Sequence, residues 1–264
     1  MLMEVKNQIR VMFLSIKYSL SRELLNKFTF FSNIIFMILN NASFIIQWVI
    51  IYSIKDNIGG YGFGDIILLW GLAASTYGMS RFLFKNAFDL SDMINSGGLD
   101  VYLVQPKSVL ISAITSSIQV SAIGDIIYGY IALLISGFSI IKFLLFTLFS
   151  ISGAFILTSI SIILSSLSFY FNKSDILAET VNSLMISFAT YPGSVFKGIT
   201  KLLLYTFIPV GIVNYIPIEI MKVFDIKLCV LVLFVSLLSV VLAFMIFNKG
   251  LKRYSSTNLM NARI

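Results

Sequence analysis

Asp125 is the most chemically loaded position in this sequence, because it stands inside a long apolar run where a carboxylate is costly. An acid so placed either has a functional role or serves, protonated or hydrogen-bonded, as a contact between helices. No basic residue shares the run, and both readings stay open. Asn33, Asn40, Asn41 and Gln47 interrupt an earlier apolar run in the same way, and should face other helices or a cavity rather than hydrocarbon. Three further acids, Asp89, Asp92 and Asp100, gather in residues 86–107, the longest stretch between apolar runs that is too polar for lipid. Its Gly97-Gly98 break and its Pro106 predict a short helix, a turn and a second short piece, with something outside the chain docking there.

Other chemistries fail on their residues. The chain has no histidine, the commonest metal ligand and general base, which speaks against catalysis by this chain alone. Its one cysteine, Cys229, sits in an apolar run, so neither a disulfide nor a thiolate metal site follows. No metal motif and no nucleophile–base pair is present. Residues 193–200 have the spacing of a phosphate-binding loop, but Ile199 stands where a lysine must reach the phosphates and no strand precedes it. The chain is therefore not expected to bind ATP, and Pro192 and Gly193 are expected to end a helix and turn the chain. Gly60-Tyr61-Gly62 matches part of a carbonyl-ring filter, yet Lys55, Asp56 and Asn57 precede it where a pore helix is needed, so a flexible loop is expected.

The elements that position these residues follow from composition. Of the 264 residues 58% are hydrophobic and 12% charged, against about 25% charged in soluble domains. Apolar runs of about 20 residues recur along nearly the whole length, which predicts an all-α membrane protein forming one domain over 1–264. The net charge of +7 is spread at the edges of those runs as a topology signal and does not indicate nucleic acid.

Residues 4–27 carry Lys6, Arg10, Lys17, Arg22 and Lys27 with apolar residues at helical spacing, and predict an interfacial amphipathic helix. They lack a signal peptide's apolar core and cleavage site, so the segment is expected to stay on the mature protein. Spans are expected at about 28–54, 66–84, 109–136, 141–170, 176–191 and 226–247. Re-entrant outer helices over 192–222 come before the last span, because broken backbone at membrane depth is tolerated only against protein or water. Gly71, Ser75 and Gly78, with Ala74 beside them, give the second span a small-residue face for close packing. The third span is rich in hydroxyls: Ser112, Thr115, Ser116, Ser117 and Ser121. A small loop at Asn172, Lys173, Ser174 and Asp175 is expected to make a lesser second contact. Lys249, Lys252, Arg253 and Arg263 beyond the last span place both termini in the cytoplasm, with six spans and residues 86–107 on the inner side.

This order of features resembles the permease subunits of type-2 ABC transporters, and most of all a bacterial subgroup with four short motifs. The first, G-x-L-D-x-x-L-x-x-P after the second span, is matched by Gly97, Leu99, Asp100, Leu103 and Pro106, with Gly98 where the subgroup often has an acid. The tyrosine-proline turn is Tyr191 and Pro192, and the proline-rich outer segment holds Pro209, Asn214, Tyr215 and Pro217. The basic tail ends near Tyr254, Ser255 and Ser256.

The resemblance implies a multi-pass protein of the bacterial cytoplasmic membrane, paired with a second permease, identical or sister. Two ABC ATP-binding subunits would carry the ATP and Mg, and this chain would bind no cofactor. Residues 89–106 would supply the coupling helix that rests on an ATPase, with Asp89, Asp92, Leu99, Asp100 and Leu103 as its contacts. Asn40, Asn41, Gln47 and Asp125 would line the substrate path or dimer seam, and the Tyr191–Pro217 residues an outer gate. The expected function is ATP-driven export of an amphiphile such as a drug, lipid or peptide. An ion-coupled secondary transporter or channel without an ATPase is the alternative, and a membrane assembly or anchoring protein a third.

Overall fold

The computed structural model describes residues 2–171 and 174–255; Asn172, Lys173, Ser256 and Arg263 lie outside the described residues. It is 80% helical, and among the described residues there is no strand and one isolated bridge, between Ile58 and Tyr61. Among the described residues twelve α-helices follow in order: α1 (Leu2–Glu23), α2 (Lys27–Ile54), α3 (Phe63–Phe88), α4 (Leu90–Asn95), α5 (Asp100–Leu103) and α6 (Val109–Ile114). Then come α7 (Ala122–Ile135), α8 (Ile140–Ser165), α9 (Ser174–Ala189), α10 (Gly198–Thr206), α11 (Ile216–Lys222) and α12 (Ile226–Leu251).

Four of these stretches are long and apolar enough to cross a membrane: α2, α3 running on through α4, α8 with its terminal turn, and α12. The α10–α11 pair, bent by 79°, makes a fifth if counted as one span. The expected continuous third span is not one helix. It breaks between Ile114 and Ala122, and α7, with 14 residues, reaches roughly 21 Å at 1.5 Å per residue, short of a ~30 Å hydrocarbon core. Thr115, Ser116 and Ser117 explain the break, since hydroxyls offer the backbone local alternatives to the helix ladder. Thr115 Oγ1 donates to the Ile111 carbonyl at 2.7 Å and Ser116 Oγ to that of Ala113 at 2.8 Å. Six crossings therefore require the shorter α7 and α9 to cross as well.

α3 is the central post, packed on α7 along one side and α8 along the other. The small-residue face expected there is used: a Cβ on Gly129 of α7 would lie 2.6 Å from both the Gly71 carbonyl oxygen and Ser75 Cβ. Only glycine permits so close a crossing. α12 packs on α8, while α2 leans on α7 through Gly124 and leaves Phe28, Phe36 and Ile50 among its exposed residues, as a lipid-facing helix does.

α1 is not simply laid on a surface. Gln8 accepts from the Ser108 backbone and donates to Ser112 Oγ, each at 3.3 Å, and Ser19 Oγ reaches the Ser116 carbonyl at 3.4 Å. Ile16 and Leu20 pack with Ile118 and Val120. Part of its apolar face is thus spent on the broken segment, while Phe13 and Tyr18 remain exposed.

The Gly60-Tyr61-Gly62 loop is pinned at several points, unlike the flexible loop expected. Tyr52 Oη donates to the Tyr61 carbonyl at 2.7 Å, and Lys222 pairs with Asp65 at 2.6 Å while its ammonium sits 4.4 Å from the Tyr61 ring centre.

Candidate functional site

A cavity of about 510 Å³ is lined mainly by α2, α3 and α9, with Asp125 of α7, Leu157 of α8 and, between α10 and α11, Val210 and Asn214. Its exposed rim carries Asn40, Phe44 and Gln47 from α2, Ile186 and Ser187 from α9, and Tyr191 just beyond. Its buried floor carries Asn41, Thr76, Asp125, Asn182 and Asn214. Rings of Trp70, Tyr77 and Phe88 share the lining with aliphatic side chains such as Met37, Leu157 and Met185.

Asp125 is 2% exposed and stands in the first turn of α7, where the positive end of the helix dipole favours an acid. Asn41 reaches across from α2 and donates through Nδ2 to Asp125 Oδ1 at 2.6 Å and to its own helix at the Met37 carbonyl, 3.0 Å. One amide thereby fixes the carboxyl. Asp125 Oδ2, Thr76 Oγ1, Asn214 Nδ2 and Trp70 Nε1 are buried without a protein partner. Buried polar atoms of this kind are met by water or by a ligand, so the floor is equipped to hold a polar group.

At one end of the bundle the chain forms the helix, turn and short helix expected of residues 86–107. α4 and α5 are joined through Gly97, whose φ of +79° is the left-handed conformation that glycine takes without strain. Leu90, Ile94 and Leu99 seat this hairpin in a cluster with Ile162 of α8 and Ala243 and Phe247 of α12. Tyr254, after α12, donates through its hydroxyl to Asp100 Oδ1 at 2.9 Å and packs edge-on against Phe169. Burial, and then the bond to Asp100, push the Tyr254 phenol up to about 12. Asn86 ties the hairpin's base to the broken segment, donating to Ser116 Oγ at 2.6 Å and to the Ala113 carbonyl at 3.1 Å. Ser91 and Ser168 hydroxyls pair beside it.

The hairpin's outer surface differs from the expected one. Leu99 is fully buried, so it anchors the hairpin and offers no surface, whereas Val101, Leu103 and Val104 are 64%, 45% and 84% exposed. Asp92 and Pro106 are exposed, and Asp89 pairs with Lys85 at 3.5 Å.

The remaining residues read from sequence fall into two groups. Tyr191 and Asn214 join Asn40, Asn41, Gln47 and Asp125 on the cavity. Pro192, Pro209, Tyr215 and Pro217 do not: all are buried behind it, and Tyr215 Oη closes the end of α9 on the Phe188 carbonyl at 2.7 Å. Thr76, Asn182 and Trp70 line the cavity without having been singled out from sequence; Asn182, an amide in an apolar helix, carried the same signal as Asn41.

A family model described as ABC-2 family transporter protein matches residues 37–258. No curated protein and no solved structure matches the chain. The matched residues take in the cavity, the hairpin and the bent α10–α11 pair alike, and the chain belongs to the ABC-2 transporter family as a multi-pass permease, a transport component that in this family works with an ATP-binding subunit.

Proposed function

We propose that this chain is the membrane subunit of an ATP-driven exporter of an amphiphilic molecule, acting in the bacterial cytoplasmic membrane. α2, α3, α7, α8, α9 and α12 cross it, α10 and α11 are re-entrant at the outer face, and both termini are cytoplasmic. Two permeases, identical or sister, stand on two ATP-binding subunits that hold ATP and Mg. Lys85, Lys107, Lys249, Lys252 and Arg253 around the hairpin end support that orientation. Asn40 and Gln47 on the exposed rim support a second permease over the α2–α9 side, since amides are expensive against lipid.

The observation that carries the reading is the α4–α5 hairpin. Its inner side is buried against the ends of α8 and α12, while its outer side presents Asp92, Val101, Leu103 and Val104. A partner pressing on that outer side moves two long helices directly. Closure of the ATP-binding subunits would thus be passed to the helices around the cavity, and substrate would leave past the Tyr191–Pro217 region.

Reconstituted with its ATP-binding subunit, the permease should move an amphiphile only while ATP is hydrolysed. Transport that persists with ATP depleted and an ion gradient held would contradict the proposal and favour an ion-coupled carrier.

A further inference from the structure

The walls of the cavity hold one carboxyl group. Among the described residues no lysine or arginine lines it, and Asp125 is the only acid. Arg81 lies one helical turn past Gly78, which packs against Asp125, near enough for its charge to act on that carboxyl, and its Nε is buried without a protein partner among the described residues. Its guanidinium rests 4.6 Å from the Phe88 ring centre and 4.9 Å from that of Tyr77, with Nη1 on Gln119 Oε1 at 3.4 Å. No ion pair to Asp125 forms among the described residues.

The carboxyl itself is half engaged. Asn41 holds Oδ1, and Oδ2 is buried with no protein partner. A buried carboxyl oxygen left so is met by water or a ligand, and a cation placed beside it favours the charged form. The surrounding surface fits the remainder of such a ligand. Trp70, Tyr77 and Phe88 give the lining aromatic surface, with Arg81 already against the rings of the last two, and Met37, Leu157 and Met185 give it an apolar wall. At about 510 Å³ the cavity is within the size range of small-molecule sites. An anionic head group would meet the Asp125 carboxyl with no lysine or arginine in the lining itself, Arg81 lying against the Tyr77 and Phe88 rings.

We propose that the cavity selects organic cations with an apolar body, the cationic group pairing with the Asp125 carboxylate and the body lying against the rings and aliphatic walls. This names the substrate class of the site used in the export reading and rests on that reading for its biological meaning.

The test is equilibrium dialysis of the full chain in lipid nanodiscs, with empty nanodiscs subtracted and each probe measured alone. Tetraphenylphosphonium and tetraphenylborate have the same shape and opposite charge, and N-phenyl-1-naphthylamine is a neutral lipophile. Tetraphenylphosphonium should bind saturably and at least tenfold tighter than tetraphenylborate. Asp125→Asn keeps an acceptor for Asn41, and should lower the ratio of phosphonium to neutral-probe affinity at least tenfold. Asp125→Glu should keep that ratio within threefold. Equal binding of the two ions, or an unchanged ratio in Asp125→Asn, overturns the proposal. Because no ATP enters the measurement, Asp125-dependent phosphonium binding without ATP-driven transport would sink the export reading alone. ATP-driven transport indifferent to probe charge and to Asp125 would sink the cation site alone.

Discussion

Leu99 and Leu103 sit four residues apart in the α4–α5 hairpin and should fail in opposite ways. Leu99 is fully buried in the cluster that seats the hairpin on α8 and α12. Truncating it to alanine removes three carbons, worth roughly 2.4 kcal/mol at about 0.8 kcal/mol each. The unfilled volume raises the cost to about 3–4 kcal/mol, inside the range seen for buried leucines. Leu103 is 45% exposed, so its truncation should change stability by less than about 1 kcal/mol. If a partner buries Leu103 as an apolar anchor, the same change should weaken docking by about 1.4 kcal/mol or more, at least tenfold in Kd. Thermal unfolding of the purified permease and titration with the ATP-binding subunit separate the two. Leu99→Ala should lower the unfolding temperature by several degrees, and Leu103→Ala should leave it nearly unchanged while weakening docking. A stable Leu99→Ala protein, or a Leu103→Ala protein with undiminished docking, would refute the assignment of an anchored inner side and a docking outer side.

Three further outcomes follow from the packing. Gly129→Val puts side-chain atoms where the Gly71 carbonyl and Ser75 already stand, and should cost about 1–3 kcal/mol, read as a lowered unfolding temperature. Asn41→Leu strips Asp125 Oδ1 of its donor and should destabilise by about 1.5–3 kcal/mol, with Asn41→Gln tested alongside to show whether amide reach matters. Tyr254→Phe should loosen the tail from Asp100 by about 1 kcal/mol, seen as faster amide exchange in residues 252–255. The pH dependence of that contact has a definite sign: its folded phenol is raised to about 12 from 10.0, so its stabilisation is present below pH 10 and lost as pH climbs through about 12. Exchange between pH 6 and 9 should therefore show no loss of this contact.

Much of the site was legible residue by residue and little of it as an assembly. Asn41 and Asp125 each stood out as polar groups in apolar runs, but they are 84 positions apart and nothing in the sequence joins them. Their pairing is a tertiary fact, made possible where Gly124 lets α7 approach α2. The break after Ile114 was hidden because hydropathy averages over the hydroxyls; the run Thr115-Ser116-Ser117 held the signal, and only the local bonds it makes turn it into a break. Leu99 looked like a contact because it falls within a polar segment with the acids, yet α5 buries none of its own four residues and is seated through Leu99 at its N-cap. Gly97, in contrast, was readable outright, since a glycine pair between two short helices demands a turn.

The most direct test of the central claim is site-directed cross-linking in membranes that contain the complete transporter. Cys229, the native cysteine, is buried, so a thiol placed at an exposed position is the one that reacts. Val104→Cys, on the outer side of the hairpin, should cross-link to the ATP-binding subunit through a thiol-to-amine reagent, and Phe207→Cys, 79% exposed at the other end of the bundle, should not. Cross-linking from position 207, or none from position 104 in an ATP-hydrolysing complex, would contradict the account.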